Sequence, residues 1–410
     1  MLGASAIILI TLDQAQSGFH QVGIDVYPRY LSGVLAAEGR SPYDSAEVFR
    51  REDALRTDHH LAAYDAPPTI AVFRVLAEWS VYVVGLLILL ASLAAVALIV
   101  VVLTPGADPL TRLVTTAAVL LFAPVRHTLI LGQIDLVCLV PVAIAVSRSR
   151  DGRTTGELAP LVVLKPQTIF LTSVTMAVQG LRRERRRTLV RGAVVVLALL
   201  LTAAVLAPSA TWPDWIDAVR SRPHNAGGNV WLLLLIAGAG AINGGVQLWR
   251  AHRAQAAVDV LLVAAAANSL LAGVGGWNPQ WHLGLVLPLG ALVVAVATGR
   301  IALPVTHQVA LLGLVSLSLA DAWAPLAQAG FWSADAGLVM VALLAAVVVV
   351  LDLLSPLLVV PTALAAAAVV RADIGLPGRQ LIPILVAVVL LHLVIANRVQ
   401  APRGRVEFAT

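Results

Sequence analysis

From position 81 almost to its end this chain is a succession of apolar runs separated by short polar turns. A helix needs about 20 apolar residues, at 1.5 Å of rise each, to cross the hydrocarbon core of a bilayer. On that scale helices are predicted over 81–103, 113–125, 131–147, 157–179, 188–207, 230–248, 256–274, 281–299, 301–320, 336–352, 356–371 and 380–397. The opening MLGASAIILITL is too short to span, and it lacks the basic n-region and small-residue cleavage site of a signal peptide. It is expected to be the outer end of a first helix whose start lies upstream. A polar stretch, 13–80, follows it and holds most of the acidic residues of the N-terminal half. Inside that stretch Tyr27, Tyr30, Leu31, Val34 and Leu35 recur at helical spacing, which predicts an amphipathic helix lying on the membrane surface. With no fixed-period repeat and no low-complexity linker, one membrane domain over 1–410 is expected. It divides into a loop outside the membrane (13–80), a helical bundle (81–397) and a cytoplasmic tail (398–410).

Composition agrees with the pattern. The chain is 59% hydrophobic and 12% charged, with a mean hydropathy of +0.88, whereas soluble domains carry about 25% charged residues. The formal charge of +5 does not point to nucleic acid, because the arginines cluster between apolar runs and serve as topology signals. Cys138 is the single cysteine, which excludes an internal disulfide, a thiolate metal site and a redox pair. No H-E-x-x-H, G-x-S-x-G, Walker loop or dinucleotide fingerprint is present. No carboxylate pair has metal-site spacing, and no cofactor or obligatory metal is expected.

Lys165 is the only lysine, and it stands inside the apolar run APLVVLKPQTIFL with a proline after it. Arginine clusters flank that run at 147–153 and 181–191, and short arginine-rich turns belong in the cytoplasm. A single crossing would put one cluster outside. The segment 157–179 is therefore expected to enter and return as a re-entrant pair of short helices. Pro166 favours a break there, since it lacks an N–H and disfavours helical geometry at the residue before it. Lys165 is then at the hairpin tip, facing a cavity open to the outside, and an ionisable residue at such a depth is functional by default. The bland alternative is a lysine snorkelling from an ordinary helix.

This topology gathers the chemistry-capable residues on the extracytoplasmic face. Asp25 is either the cap of the surface helix or a carboxylate able to take a proton from a hydroxyl. Arg126, His127, Gln133 and Asp135 surround the start of a span, and Arg126 has the guanidinium that suits a phosphate. Trp281 and His282 stand at an outer helix start, the first usual in an interfacial belt and the second able to donate to a leaving phosphate.

Taken in order, GIDVYPRYLSGVLAAEGRSPYD, YDAPPTIAVF, RHTLILGQIDLVCL, APLVVLKPQTIFL and WNPQWHLGLVLPL resemble the bacterial polyprenyl-phosphate-mannose-dependent α-1,2-mannosyltransferases and related arabinofuranosyltransferases of the GT-C superfamily. The resemblance runs through most of residues 20–290. It implies an all-α polytopic bundle of about 12 to 14 transmembrane helices, with short helices of the first outer loop lying on the membrane. It further implies that Asp25 is the catalytic base, that Lys165 and His282 lie near the donor phosphate, and that Gln133 starts a helix lining the donor site. Where the family pattern usually reads G-Q-V-N this chain has GQID, so Asp135 replaces an amide expected among the polar contacts of the sugar.

The expected activity is therefore transfer of a sugar, mannose first, from a polyprenyl-monophosphate donor to a glycolipid or polysaccharide acceptor, with inversion. It takes place in the plasma membrane on the outer side. Asp25 is the expected base, Lys165, His282 and Arg126 the phosphate ligands, and Gln133, His127, Tyr27 and Trp281 the lining. Arabinofuranosyl transfer is the alternative within the enzyme class. A lipid-linked-sugar transporter would show repeats and a midplane site, and a purely structural envelope protein would not need a buried lysine.

Overall fold

The apolar run that starts at Val81 is a single helix, Val81–Leu103, and among the described residues it is the one helix long and apolar enough to cross a membrane. Ser80 caps it by accepting from Val83 N at 3.4 Å, and its regular geometry ends at Thr104. The computed structural model describes residues 23–55, 61–104, 107–121, 123–150 and 156–221. The spans predicted beyond residue 221 lie outside the described residues. Among the described residues all regular elements are helical: α1 Val26–Ala37, α2 Ser45–Ala54, α3 Pro67–Leu76, α4 Val81–Leu103, α5 Pro109–Leu121, α6 Ala123–Leu131, α7 Asp135–Arg150, a 3₁₀ segment Gly156–Leu164, α8 Pro166–Leu206 and α9 Trp212–Ser221.

Helix α4 buries Val84, Ile88, Ala95, Val96 and Val100 and exposes Tyr82, Leu86, Leu90, Leu98 and Val101. A helix apolar on every side, with only one of its sides covered by protein, is suited to hydrocarbon on the other. The covered side begins a core in which Val26 and Tyr27 of α1, Phe73 of α3 and Val81, Val84 and Ile88 of α4 pack together.

The surface helix predicted around Tyr27 to Leu35 forms as α1, but α1 is buried on more than its apolar side: Arg29 and Ser32 are covered as fully as Tyr27, Leu31 and Leu35. Two features allow this. Gly33 brings α1 against the backbone of α3, where a Cβ would lie 2.5 Å from the Phe73 carbonyl. Arg29, on the polar side, keeps its charge compensated by Asp65 at 2.7 Å, as a buried cation requires.

The helical path from α7 to α8 differs in detail from the predicted spans. Regular backbone stops at Lys165 (φ −150°, ψ 78°), between the 3₁₀ segment and α8, as the residue before a proline favours. The Leu164 carbonyl, at this break in the helical path, accepts from Thr69 Oγ1 at 2.7 Å. The arginine cluster at 181–187, predicted as a turn, is helical within α8, which suits the helix propensity of Leu, Arg and Glu. Helix α8 does not run straight. A Cβ on Gly192 would lie 3.6 Å from Pro160 Cγ, although a straight helix would put Gly192 about 39 Å beyond Pro166 and Pro160 is at most about 20 Å of extended chain away from it. The helix therefore folds back between Pro166 and Gly192, and its far end, through Ala203 and Leu206, packs with Ala207 and Ala210 against Ala36, Ile70 and Ala71.

Candidate active site

The site is built on the end of α6. An α-helix leaves its last four carbonyls without intrahelical partners, and here each is answered. Gly132, with φ +70°, turns the chain out of the helix so that Gln133 N reaches Thr128 O at 3.0 Å and Gly132 N reaches Leu129 O at 3.2 Å, the paired bonds of a Schellman motif. The carbonyls of Ile130 and Leu131 accept from Gly23 N (3.2 Å) and Asp25 N (3.0 Å). The glycine of the G-Q pair thus does two things. It releases Gln133 from the helix, and it lets residues 23–25 lie against the helix end.

We predict that Gly132→Ala is destabilising on both counts. A Cβ there would meet Val26 Cγ2 at 2.4 Å and Gly23 Cα at 2.9 Å. A left-handed alanine costs about 1–2 kcal/mol and overpacking about 1–3 kcal/mol more. Thermal unfolding of the purified protein in detergent reads this as a lowered midpoint; an unchanged midpoint would rule out the close approach.

Six polar side chains from four parts of the chain meet at this helix end. Gln133 is the hub. Its Oε1 accepts from Arg29 Nη2 at 2.6 Å and from Lys165 Nζ at 2.5 Å, and its Nε2 donates to Asp25 Oδ2 in a short hydrogen bond. Arg29 is held from behind by Asp65 Oδ2, which accepts from Nε at 2.7 Å, and by the Gly132 carbonyl, which accepts from Nη1 at 3.2 Å. Lys165 donates in addition to Asp135 Oδ2. The side chains of Lys165 and Asp135 are 2% and 0% exposed. Asp135 therefore compensates the charge of the lone lysine, which accounts physically for a buried carboxylate at this position.

Asp25 is half-buried at the start of α1, yet its side chain caps no helix N–H. Its carboxylate is given to Gln133 instead, and among the described residues it makes no ion pair. Burial pushes its carboxyl above the ordinary aspartate value. The charges of Arg29 and Lys165 and the Gln133 hydrogen bond pull it down, and the Asp65 charge adds a smaller push upward.

Of the residues expected from sequence, Asp25, Gln133 and Lys165 come together. Tyr27 lies next to them but is packed into the core with Phe73 and Val81. Arg126 and His127 belong to α6; their side chains, and Trp281 and His282 entirely, lie outside the described residues. Two members of the cluster were not anticipated, Arg29 and Asp65. The available signals were an arginine interrupting the apolar spacing of α1 and an acid two residues before Pro67, but nothing local links positions 36 residues apart. Among the described residues no group of three or more His, Cys, Asp or Glu side chains is arranged to hold a metal ion.

Fold and site together define a helical membrane protein that holds a carboxylate beside, but not on, two cations at one end of its apolar helices. The profile of glycosyltransferase family 87 matches residues 66–320, more than half of the chain. The chain belongs to that family and is a membrane glycosyltransferase. No curated protein and no solved structure matches it.

Proposed function

We propose that this glycosyltransferase moves mannose from a polyprenyl-monophosphate donor to a glycolipid or cell-envelope glycan acceptor at the outer face of the cell membrane, inverting the anomeric centre. The observation that carries the reading is the state of Asp25. A general base must be ionised yet not tied up in a direct ion pair, and Asp25 is half-buried with its described hydrogen bond on Oδ2 alone. Asp25 would take the proton of the acceptor hydroxyl as the hydroxyl oxygen bonds to the anomeric carbon. The bond from that carbon to the phosphate oxygen breaks, and polyprenyl phosphate leaves with the electron pair.

The charges indicate how the phosphate is met. Among the described residues Asp25, Asp65 and Asp135 face Arg29 and Lys165, so these five groups, all ionised, have one negative charge in excess. Lys165 would act on the leaving phosphate through its field from behind Gln133, in a setting where such fields are stronger than in water. Arg126 and His282 are the groups proposed to touch the phosphate. Gln133, His127 and Trp281 are proposed to line the sugar and acceptor sites. With one phosphate to hold, no obligatory metal is proposed.

The outward orientation rests on the arginines. Helix α7 leaves the site at Asp135 and ends at Arg150, about 24 Å away. The 3₁₀ segment returns to Lys165, and α8 leaves again toward the run at 182–187. Both arginine clusters would then be on the side away from the site, and short arginine-rich segments face the cytoplasm. This is also the support for a re-entrant hairpin with Lys165 at its tip.

Purified protein in liposomes, supplied separately with radiolabelled polyprenyl-phosphate-mannose and polyprenyl-phosphate-arabinose, tests the reading. Faster turnover of the mannose donor is expected. Preference for arabinose would change the sugar, and passage of donor across the bilayer without transfer would replace the enzyme by a transporter. The rate also has a predicted pH dependence. The base works only when ionised and its carboxyl titrates higher than usual, so kcat/KM should fall on the acid side with an apparent pKa above about 3.9, the ordinary aspartate value. A rate unchanged down to pH 4 would contradict this.

A further inference from the structure

The arrangement around Gln133 fixes the orientation of its amide. Two cations donate to the same end of the side chain, Arg29 Nη2 at 2.6 Å and Lys165 Nζ at 2.5 Å. Neither has a hydrogen bond to offer except as donor, so that end must be the oxygen, and the –NH₂ is turned toward Asp25. Arg29 cannot swing away, because Asp65 and the Gly132 carbonyl hold the other two parts of its fork. Lys165 is held likewise by Asp135. A neutral amide thus stands where either cation would otherwise meet the Asp25 carboxylate directly.

We propose that Gln133 is the positioning residue of the base: it receives Arg29 and Lys165 on its carbonyl oxygen and presents its amide nitrogen to Asp25, with Asp65 holding Arg29 in place for that purpose. The base is oriented by two cations without being paired to either. A direct bond to a guanidinium would depress its basicity, and with no cation near it would hold its proton. The proposal rests on the reading of Asp25 as base, and adds Arg29 and Asp65 to the machinery as residues that act through Gln133.

The groups facing Asp25 among the described residues are Arg29 on its own helix, Asp65 from the segment before α3, Gln133 after α6, and Lys165 at the junction of the 3₁₀ segment and α8, with its partner Asp135 at the start of α7. Two near-isosteric substitutions should move Asp25 in opposite directions. Gln133→Glu removes the N–H given to Asp25 and puts a negative charge beside it, so its titration midpoint should rise. Asp65→Asn removes a negative charge and leaves Arg29 uncompensated, so the midpoint should fall.

The midpoint can be read without any transfer assay. A water-soluble carbodiimide modifies protonated carboxyls, and peptide mass spectrometry of the full-length protein in detergent, sampled across pH, follows Asp25 alone. A rise of about one unit in Gln133→Glu, a tenfold change in the ionisation equilibrium, and a fall in Asp65→Asn are expected, with both variants eluting as native protein does. If one variant fails to fold, the sign of the shift in the other decides. A midpoint that stays at the native value, or moves against the predicted sign, overturns the proposal. If these shifts occur but native protein transfers no sugar, the functional reading fails and the positioning stands; if sugar is transferred and the shifts are missing, the positioning alone is wrong.

Discussion

Asp25→Asn should fold as native protein does and lose transfer by about 10²–10⁴-fold, the share general-base catalysis ordinarily contributes. The amide fills the same space, and Asp25 caps no helix N–H, so helix α1 loses no cap. What is lost is the group able to take the acceptor's proton. Donor affinity should be kept or improved, because the substitution removes a negative charge from beside an anionic donor. Single-turnover transfer and donor binding, measured on the same preparation, check both halves. A variant that transfers at the native rate would remove Asp25 from the chemistry, and one that binds no donor would make it a binding residue.

Lys165→Met should be costly in a different way. The ammonium is buried and compensates Asp135, which is fully buried as well. Removing one member of a buried pair strands the other charge and typically costs about 3–5 kcal/mol. The thermal midpoint should fall markedly and transfer with it. Lys165→Met with Asp135→Asn removes both charges and should recover most of the stability, since a neutral pair has no stranded ion. Transfer should remain low, because Gln133 would keep one cation on its oxygen and lose the other. Stability and transfer recovering together would mean that Lys165 matters to the fold only. A single variant as stable as native protein would mean that the pair is not formed.

The elements that sequence specified best are those set by local chemistry. Helix α4 was predicted at 81–103 and forms over those residues, because an unbroken apolar run begins after a good cap, Ser80, and nothing inside it offers another conformation. The break at Lys165 was also legible, since a proline restricts the residue before it wherever it stands. Asp25, Gln133 and Lys165 could be singled out because each is a polar group in an apolar or interfacial setting. Their meeting could not be read, as contacts across 108 and 32 residues leave no periodic trace.

Asp135 shows the limit most clearly. It was visible as a carboxylate in place of an amide and read as a change at the sugar, whereas its oxygen faces Lys165 in the interior. Charge compensation between distant segments is a property of the folded arrangement. The same reason hid Arg29 and Asp65, and it explains why α1, whose pattern suggests a helix with one wet side, is covered on its polar side too.

We propose above that this membrane glycosyltransferase inverts a lipid-phosphate sugar with Asp25 as the base. The measurement that meets this proposal most directly is the anomeric configuration of the product made by reconstituted protein from polyprenyl-phosphate-mannose of known anomer. One displacement with one base predicts mannose transferred with the anomer opposite to that of the donor, and no such product from Asp25→Asn. A product that keeps the donor's anomer would rule out a single displacement with Asp25 as base, and no transfer from this donor at all would rule out polyprenyl-phosphate-mannose as the substrate.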